Sequence, residues 1–140
     1  MHPAIDTCLR APTAVPERAT VAAWWPRWRD GAAQAGGPAA MALWGGFDAD
    51  RVGWAFAAGY QAALRRLRPQ LPADAIAAFC VTEEGGNRPR DIATAIEPDG
   101  DGGWRVSGAK RWTTLGPDSS LLLVVGRLPE PDAQGRPRLA

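Results

Sequence analysis

Two short loops in the second half of the chain carry residue types that could bind a flat, polar ligand. One is "TEEGGN" at residues 82–87, directly after the apolar run "AFCV", and the other is "KRWTTLG" at residues 110–116. The glycines of the first loop let backbone N–H groups approach a ligand, and the Thr82 hydroxyl can donate or accept a hydrogen bond. The second loop places Trp112, whose ring can stack on a heterocycle, beside two threonine hydroxyls. An ordinary turn beside a tryptophan in a sheet core is the alternative that the residue types leave open.

The loops belong to a region in which short apolar runs alternate with turns, a pattern typical of antiparallel β-structure. The sequence "PDGDGG" at residues 98–103 predicts the turn of a hairpin. The apolar run "SSLLLVVGRL" predicts a fully buried strand. The predicted strands are residues 75–82, 94–98, 104–114 and 119–128.

The first half of the chain has a helical composition. Residues 17–37 predict a helix that Pro26 should kink or divide, because proline removes a backbone donor and clashes with the preceding turn. A further helix is predicted to begin near Asp48 or Asp50, either of which can cap it, and to run to about Leu67.

This further helix has apolar residues at helical spacing along one stripe, which we interpret as a core-packing face rather than a ligand site. The stripe consists of Val52, Phe56, Tyr60, Ala63 and Leu67. Residues 1–16 contain three prolines and no hydrophobic period, so we expect them to be irregular.

Charge and composition favour a soluble chain without a charged partner. The 16 basic and 15 acidic residues nearly cancel, so no net field favours binding to nucleic acid or to an anionic membrane. No apolar run is long enough to cross a bilayer, and the N-terminus lacks the pattern of a secretion signal. A cytoplasmic location is therefore expected.

The scarcity of histidine and cysteine excludes several kinds of chemistry. The single histidine, His2, lies beside the N-terminus, so we expect neither a histidine-based catalytic site nor a metal site. Cys8 and Cys80 form no metal motif, and Cys80 is expected to pack as a small hydrophobic residue. Glu83 and Glu84 are not interpreted as a catalytic pair, because neighbours on an extended strand point to opposite faces.

The sequence from "FCVTEEGGNRPRD" to "SGAKRWTTLGPDSSLLLVVGR" resembles the middle β-domain of acyl-CoA dehydrogenases. In that family a strand ending in Thr-Glu and a glycine-rich loop is followed by a hairpin and then by Gly-x-Lys-x-Trp-x-Thr. The resemblance covers about residues 75–128, and the preceding helices are compatible with the N-terminal helical domain of the family. Glu84 stands where the family usually has proline.

The resemblance implies that the chain binds FAD. It assigns Thr82 to a hydrogen bond with the isoalloxazine ring, Trp112 to contact with the flavin, and Thr114 to a hydrogen bond near N5. The serine that contacts the pyrophosphate in the family has no direct counterpart in this loop, and Asn87 is the candidate to replace it. Phe79 and Val81, on the strand before the first loop, complete the cofactor-binding residues expected here.

These observations predict an α+β fold, with a partial helical domain at residues 1–74 followed by an incomplete antiparallel β-barrel-like domain at residues 75–140. The resemblance implies the FAD-binding part of an oxidoreductase that desaturates an acyl-CoA thioester. The family's catalytic base belongs to a C-terminal helical domain that we expect to be missing, so no catalytic residue is assigned and the chain is expected to be inactive alone. A homo-oligomer, or a separate chain carrying that domain, is the expected partner. The alternative is a noncatalytic remnant or interaction module that binds no flavin.

Overall fold

The computed structural model describes residues 3–10, 14–86 and 88–140, in which helices precede strands along the chain. The predicted α+β class is confirmed, and the described strands form two small sheets rather than a closed barrel. Among the described helices, none combines the length and apolar character that a membrane span requires. The elements are α1 (Pro3–Leu9), α2 (Val21–Ala33), α3 (Pro38–Phe47), α4 (Val52–Leu67), β1 (Ala77–Cys80), β2 (Ala95–Pro98), β3 (Trp104–Ser107) and β4 (Leu121–Val124).

The chain divides into two compact units. The first unit contains the helices, and the second contains most of the residues of the strands. The first unit is Met1–Ala77 with Pro117–Ser120, and the second is Ala78–Gly116 with Leu121–Ala140. The expectation that residues 1–16 are irregular is wrong for Pro3–Leu9, which form α1.

Helix α2 continues through Pro26 as a single α-helix, so of the two predicted effects of this proline, a kink or a division, the division is wrong. Thr20 caps its N-terminus by accepting a hydrogen bond from the Ala23 N–H, 3.2 Å away. The helix buries Trp24, Trp25 and Trp28 around the proline. Because this apolar burial is large, it outweighs the one backbone hydrogen bond that Pro26 removes.

Tryptophan rings fill the core of the first unit. The rings of Trp24 on α2 and Trp54 on α4 stack with centroids 5.3 Å apart and planes inclined by 8°. The guanidinium of Arg65 lies 5.2 Å from the centroid of the Trp28 ring, and burial lowers the pKa of Arg65. Aromatic packing between α2 and α4 therefore holds this unit together.

Helix α4 buries a face of small residues instead of the predicted stripe. Ala58 is fully buried, and a Cβ added to Gly45 of α3 would lie 2.2 Å from the Ala58 Cβ, so the two helices approach closely. Val52 and Phe56 are 87% and 62% exposed, so the interpretation of that stripe as core is wrong. The predicted cap is also wrong, because Arg51 is the N-cap residue and forms no side-chain cap.

The second unit contains the predicted hairpin. Strands β2 and β3 pair antiparallel, with Ala95 opposite Ser107 and Pro98 opposite Trp104. The carboxylate of Asp99 holds the turn by accepting hydrogen bonds from the backbone N–H groups of two turn residues, at 3.1 and 3.0 Å.

Strand β1 pairs with β4, and one backbone hydrogen bond at each end of the pair shows that the two strands run in the same direction. Ser120 N–H donates to Ile76 O and Val125 N–H donates to Cys80 O, each at 3.0 Å, as in a parallel pair. The predicted antiparallel pairing is therefore found in the β2–β3 hairpin but not between β1 and β4. Strand β4 is half-buried with Leu122 exposed, so the prediction of a fully buried strand is wrong.

Candidate functional site

The two loops identified from the sequence lie side by side in the second unit. We call residues 82–91 the first loop and residues 108–116 the second loop. The backbone N–H of Arg111 donates to the carbonyl oxygen of Thr82 at 2.7 Å, and the Lys110 ammonium donates to the Val81 carbonyl at 3.1 Å. The start of the first loop and the middle of the second loop are therefore hydrogen-bonded to each other.

The carboxylate of Glu83 is buried between these loops and accepts four hydrogen bonds. The Lys110 ammonium and the Thr94 hydroxyl each donate to Oε1 at 2.6 Å. The backbone N–H groups of Ala93 and Thr94 donate at 2.7 and 3.0 Å. We call Glu83, Thr94 and Lys110 the carboxylate cluster. It joins the first loop, the residues just before β2 and the second loop.

The carboxylate cluster keeps Glu83 ionised. Burial alone would raise the pKa of Glu83, but the Lys110 ammonium, the Thr94 hydroxyl and the two backbone N–H groups outweigh it and lower the pKa to about 2. A carboxylate held in this way is a structural anchor rather than a proton acceptor.

Glycine is required at one position beside this cluster. A Cβ added to Gly108 would lie 2.3 Å from the Thr94 hydroxyl and 2.8 Å from the Thr94 Cα, so a side chain there would displace backbone as well as the cluster. The Gly-x-Lys part of the sequence pattern thus has a structural explanation: Gly108 permits the close approach and Lys110 neutralises the buried carboxylate.

The first loop begins with a tight turn. The Glu83 N–H donates to Gly86 O at 2.9 Å, and the Gly86 N–H donates to Glu83 O at 3.1 Å, so Glu84 and Gly85 occupy its tip. Glu84 is exposed and pairs with the Arg111 guanidinium at 3.0 Å. The two neighbouring glutamates therefore have different environments, one buried in the cluster and one at the surface.

The predicted cofactor-binding residues that the structure describes lie on or just after β1 and in the two loops. Phe79, Val81, Thr82 and Thr114 are half-buried, whereas Trp112 is 85% exposed. Asn87 lies outside the described residues. Trp112 has a φ of +59°, in the left-handed region where residues other than glycine are uncommon.

A cleft of about 310 Å³ lies beside the carboxylate cluster and the second loop. It is lined by Cys80, Thr94, Val106, Gly108, Lys110, Thr113, Gly116, Leu122 and Val124. None of the predicted cofactor-binding residues that the structure describes is among them. Because side chains alternate along a strand, Cys80, which lines the cleft, and its neighbour Phe79 point to opposite faces of β1.

Sequence reasoning missed the roles of Thr94 and Lys110. The available signal was a glutamate at the end of an apolar run, which predicts a buried charge in need of a partner. As expected from the sequence, Cys80 is buried as a small apolar residue, and the Thr113 hydroxyl contacts its sulfur at 3.8 Å. In the described part of the chain, no group of three or more metal-binding side chains occurs.

Comparisons with known proteins give a partial match to one family. The chain is 40% identical over 67 residues to a protein named probable acyl-CoA dehydrogenase FadE10 of Mycobacterium bovis, and equally to the proteins of that name in two strains of Mycobacterium tuberculosis. The match covers 46% of this chain and spans only 10% of the length of these curated relatives. This similarity relates part of the chain to an oxidoreductase family.

No family model matches the chain. No solved structure matches it either.

Replacing Lys110 with methionine should destabilise the second unit much more than the same change at Arg111. Lys110→Met leaves the Glu83 carboxylate buried without its cation, which should lower the free energy of unfolding by about 3 kcal/mol. Arg111→Met removes only an exposed ion pair and should cost less than about 1 kcal/mol. Urea unfolding measures both. Adding Glu83→Gln to Lys110→Met should recover part of the loss, and equal small effects of the two single variants would contradict the anchoring role.

The stability that Glu83 contributes should disappear in acid. Its folded pKa of about 2 lies below its ordinary value of 4.5, so the contribution is present above about pH 5 and is lost as the pH falls from 4.5 towards 2. The difference in unfolding free energy between the wild type and Glu83→Gln should shrink by about 2–3 kcal/mol across this range. Denaturant titrations at intervals from pH 6 to pH 2 test this, and parallel curves for the two proteins would refute it.

Proposed function

We propose that the second unit is the flavin-binding part of an oxidoreductase similar to acyl-CoA dehydrogenases, with FAD as its cofactor. The observation that carries the proposal is the 2.7 Å hydrogen bond from the Arg111 N–H to the Thr82 carbonyl, which sets the Thr-Glu loop beside the Trp-Thr-Thr segment. The partial similarity to the mycobacterial proteins supports it.

The geometry of the second loop fits a stacked heterocycle. Trp112 exposes 85% of its surface while its backbone occupies the left-handed region. A large aromatic face held outward on a constrained backbone is what stacking on a flat ring requires. Thr82 and Thr114 lie in the two segments beside it and would supply hydrogen bonds to the ring edges.

The remaining contacts to FAD would come from residues around the first loop. Phe79, which points to the face of β1 opposite that of Cys80, and Val81 would offer apolar contact. Arg88 and Arg90 are exposed and would bind the pyrophosphate through charge-assisted hydrogen bonds. The sequence assigns Asn87 to the same phosphate region.

Bound FAD would supply hydride acceptance, the redox half of the α,β-desaturation of an acyl-CoA thioester. Desaturation also needs a base for the α-proton. Glu83 is not that base, because its hydrogen bonds and its pKa of about 2 commit it to the carboxylate cluster. The role of the residues in the two loops is therefore to bind and orient, and we assign no catalytic residue among them.

Binding of FAD should depend on the second loop. Trp112→Ala combined with Thr114→Val removes a stacking face and a hydroxyl, and should weaken FAD binding by about 2 kcal/mol, or about thirtyfold. Isothermal titration of the folded wild type and the double variant with FAD measures this change.

Trp104→Ala is the matched control, because Trp104 is 60% exposed on β3 and lies outside both loops. It should leave the affinity for FAD unchanged. Equal affinity of the wild type and the double variant would refute the assignment of Trp112 and Thr114. A wild-type protein that takes up no FAD and remains colourless would instead favour the noncatalytic interaction module.

A further inference from the structure

Arg127 contacts the end of the first loop and forms no ion pair within the described part of the chain. Its Nη2 donates to the Arg90 carbonyl oxygen at 2.7 Å. Its Nε is buried and has no hydrogen-bond acceptor. The residue is half-buried, so part of the guanidinium still reaches solvent. Because a partly desolvated cation without a counter-ion is unfavourable, this side chain favours an anion at its exposed side.

The backbone of Arg127 is tied to the carboxylate cluster. Its N–H donates to the Thr94 carbonyl oxygen at 2.7 Å, and its own carbonyl oxygen accepts from the Ile96 N–H at 2.8 Å. The Thr94 hydroxyl in turn donates to Glu83, near the start of the first loop. Glu83 therefore fixes the start of this loop and Arg127 fixes its end, both against the same short segment of chain.

The end of the first loop is positively charged. Arg88 and Arg90 lie there and are exposed. Asp91 follows them, with its Oδ1 3.7 Å from the Arg90 Nε, and compensates one of the positive charges. With Arg127 added, two positive charges remain that Asp91 does not compensate. We call Arg88, Arg90 and Arg127 the arginine group.

We propose that Arg127 is a phosphate-binding residue of the flavin site and makes this site selective for FAD over flavins that lack a pyrophosphate. The inference rests on the proposed function, in which Arg88 and Arg90 bind the pyrophosphate. The two phosphates of FAD are negatively charged and match the two uncompensated positive charges of the arginine group. Guanidinium groups bind phosphate oxygens through parallel N–H bonds. Arg127 holds the main chain of Arg90 and supplies one of the two charges.

Titration of the whole chain with FAD and with riboflavin tests this role, because riboflavin has the same ring system without phosphates. Arg127→Met removes a charge-assisted contact, so it should weaken FAD binding by about tenfold and change the affinity for riboflavin by less than about twofold. A purely structural role would weaken the binding of both ligands equally. Arg127→Lys keeps the charge, and its affinity for FAD should lie between those of the wild type and Arg127→Met.

Arg105→Met is the matched control. Arg105 is also an exposed arginine of the second unit, but it lies on β3, outside both loops, and pairs with Glu97 at 3.1 Å. Its replacement should leave the affinities for FAD and riboflavin unchanged. Added salt should weaken the binding of FAD to the wild type more than to Arg127→Met, because the variant has one charge fewer to be screened.

Inorganic pyrophosphate tests the arginine group without the flavin ring. Isothermal titration should show that the wild type binds it about tenfold more tightly than Arg127→Met does. If pyrophosphate binds in this way and no flavin binds, the anion site stands and the flavin assignment fails.

Two results would overturn the role of Arg127. The first is a wild type that binds flavin and an Arg127→Met variant with the same ratio of FAD affinity to riboflavin affinity, in which case the flavin assignment stands alone. The second is pyrophosphate that binds equally to both proteins or to neither. A wild type that binds neither flavin nor pyrophosphate would refute both proposals.

Discussion

The second unit depends on one buried charge, the carboxylate of Glu83. A buried carboxylate is costly unless it is paired and hydrogen-bonded, and this one has the Lys110 ammonium at 2.6 Å together with the Thr94 hydroxyl and two backbone N–H groups. These partners come from three separate segments of the chain. Satisfying one carboxylate therefore fixes the positions of the first loop, the residues before β2 and the second loop at the same time.

This constraint divides the residues of the second loop by role. Gly108 and Lys110 serve the carboxylate, one by leaving room and the other by supplying charge. Because the Arg111 backbone is then fixed against Thr82, the next residue, Trp112, is held outward with its ring exposed. The proposed contact of Trp112 with the flavin therefore depends on the hydrogen bond between Arg111, the preceding residue, and Thr82.

Local signals in the sequence predicted some of these features and missed others. The hairpin was predictable because the Asp99 turn and the glycines after it are contained in six residues. Helix α3 was not predicted, although Pro38 stands at its start, where proline is favoured. The periodicity of α4 showed an apolar stripe, but only packing against α3 decides that the alanine face is buried. The pairing of Glu83 with Lys110 spans 27 positions, so no local pattern reveals it.

The pKa of the Glu83 carboxyl group is the most direct test of its anchoring role. Its carbon resonance can be followed by NMR through an acid titration and assigned by its absence from the Glu83→Gln variant. We expect a midpoint at about pH 2 in the wild type, as the Lys110 and Thr94 contacts dictate, and a higher midpoint in Lys110→Met. A wild-type midpoint near the ordinary value of 4.5, unchanged by Lys110→Met, would contradict the anchoring role on which the proposed flavin site depends.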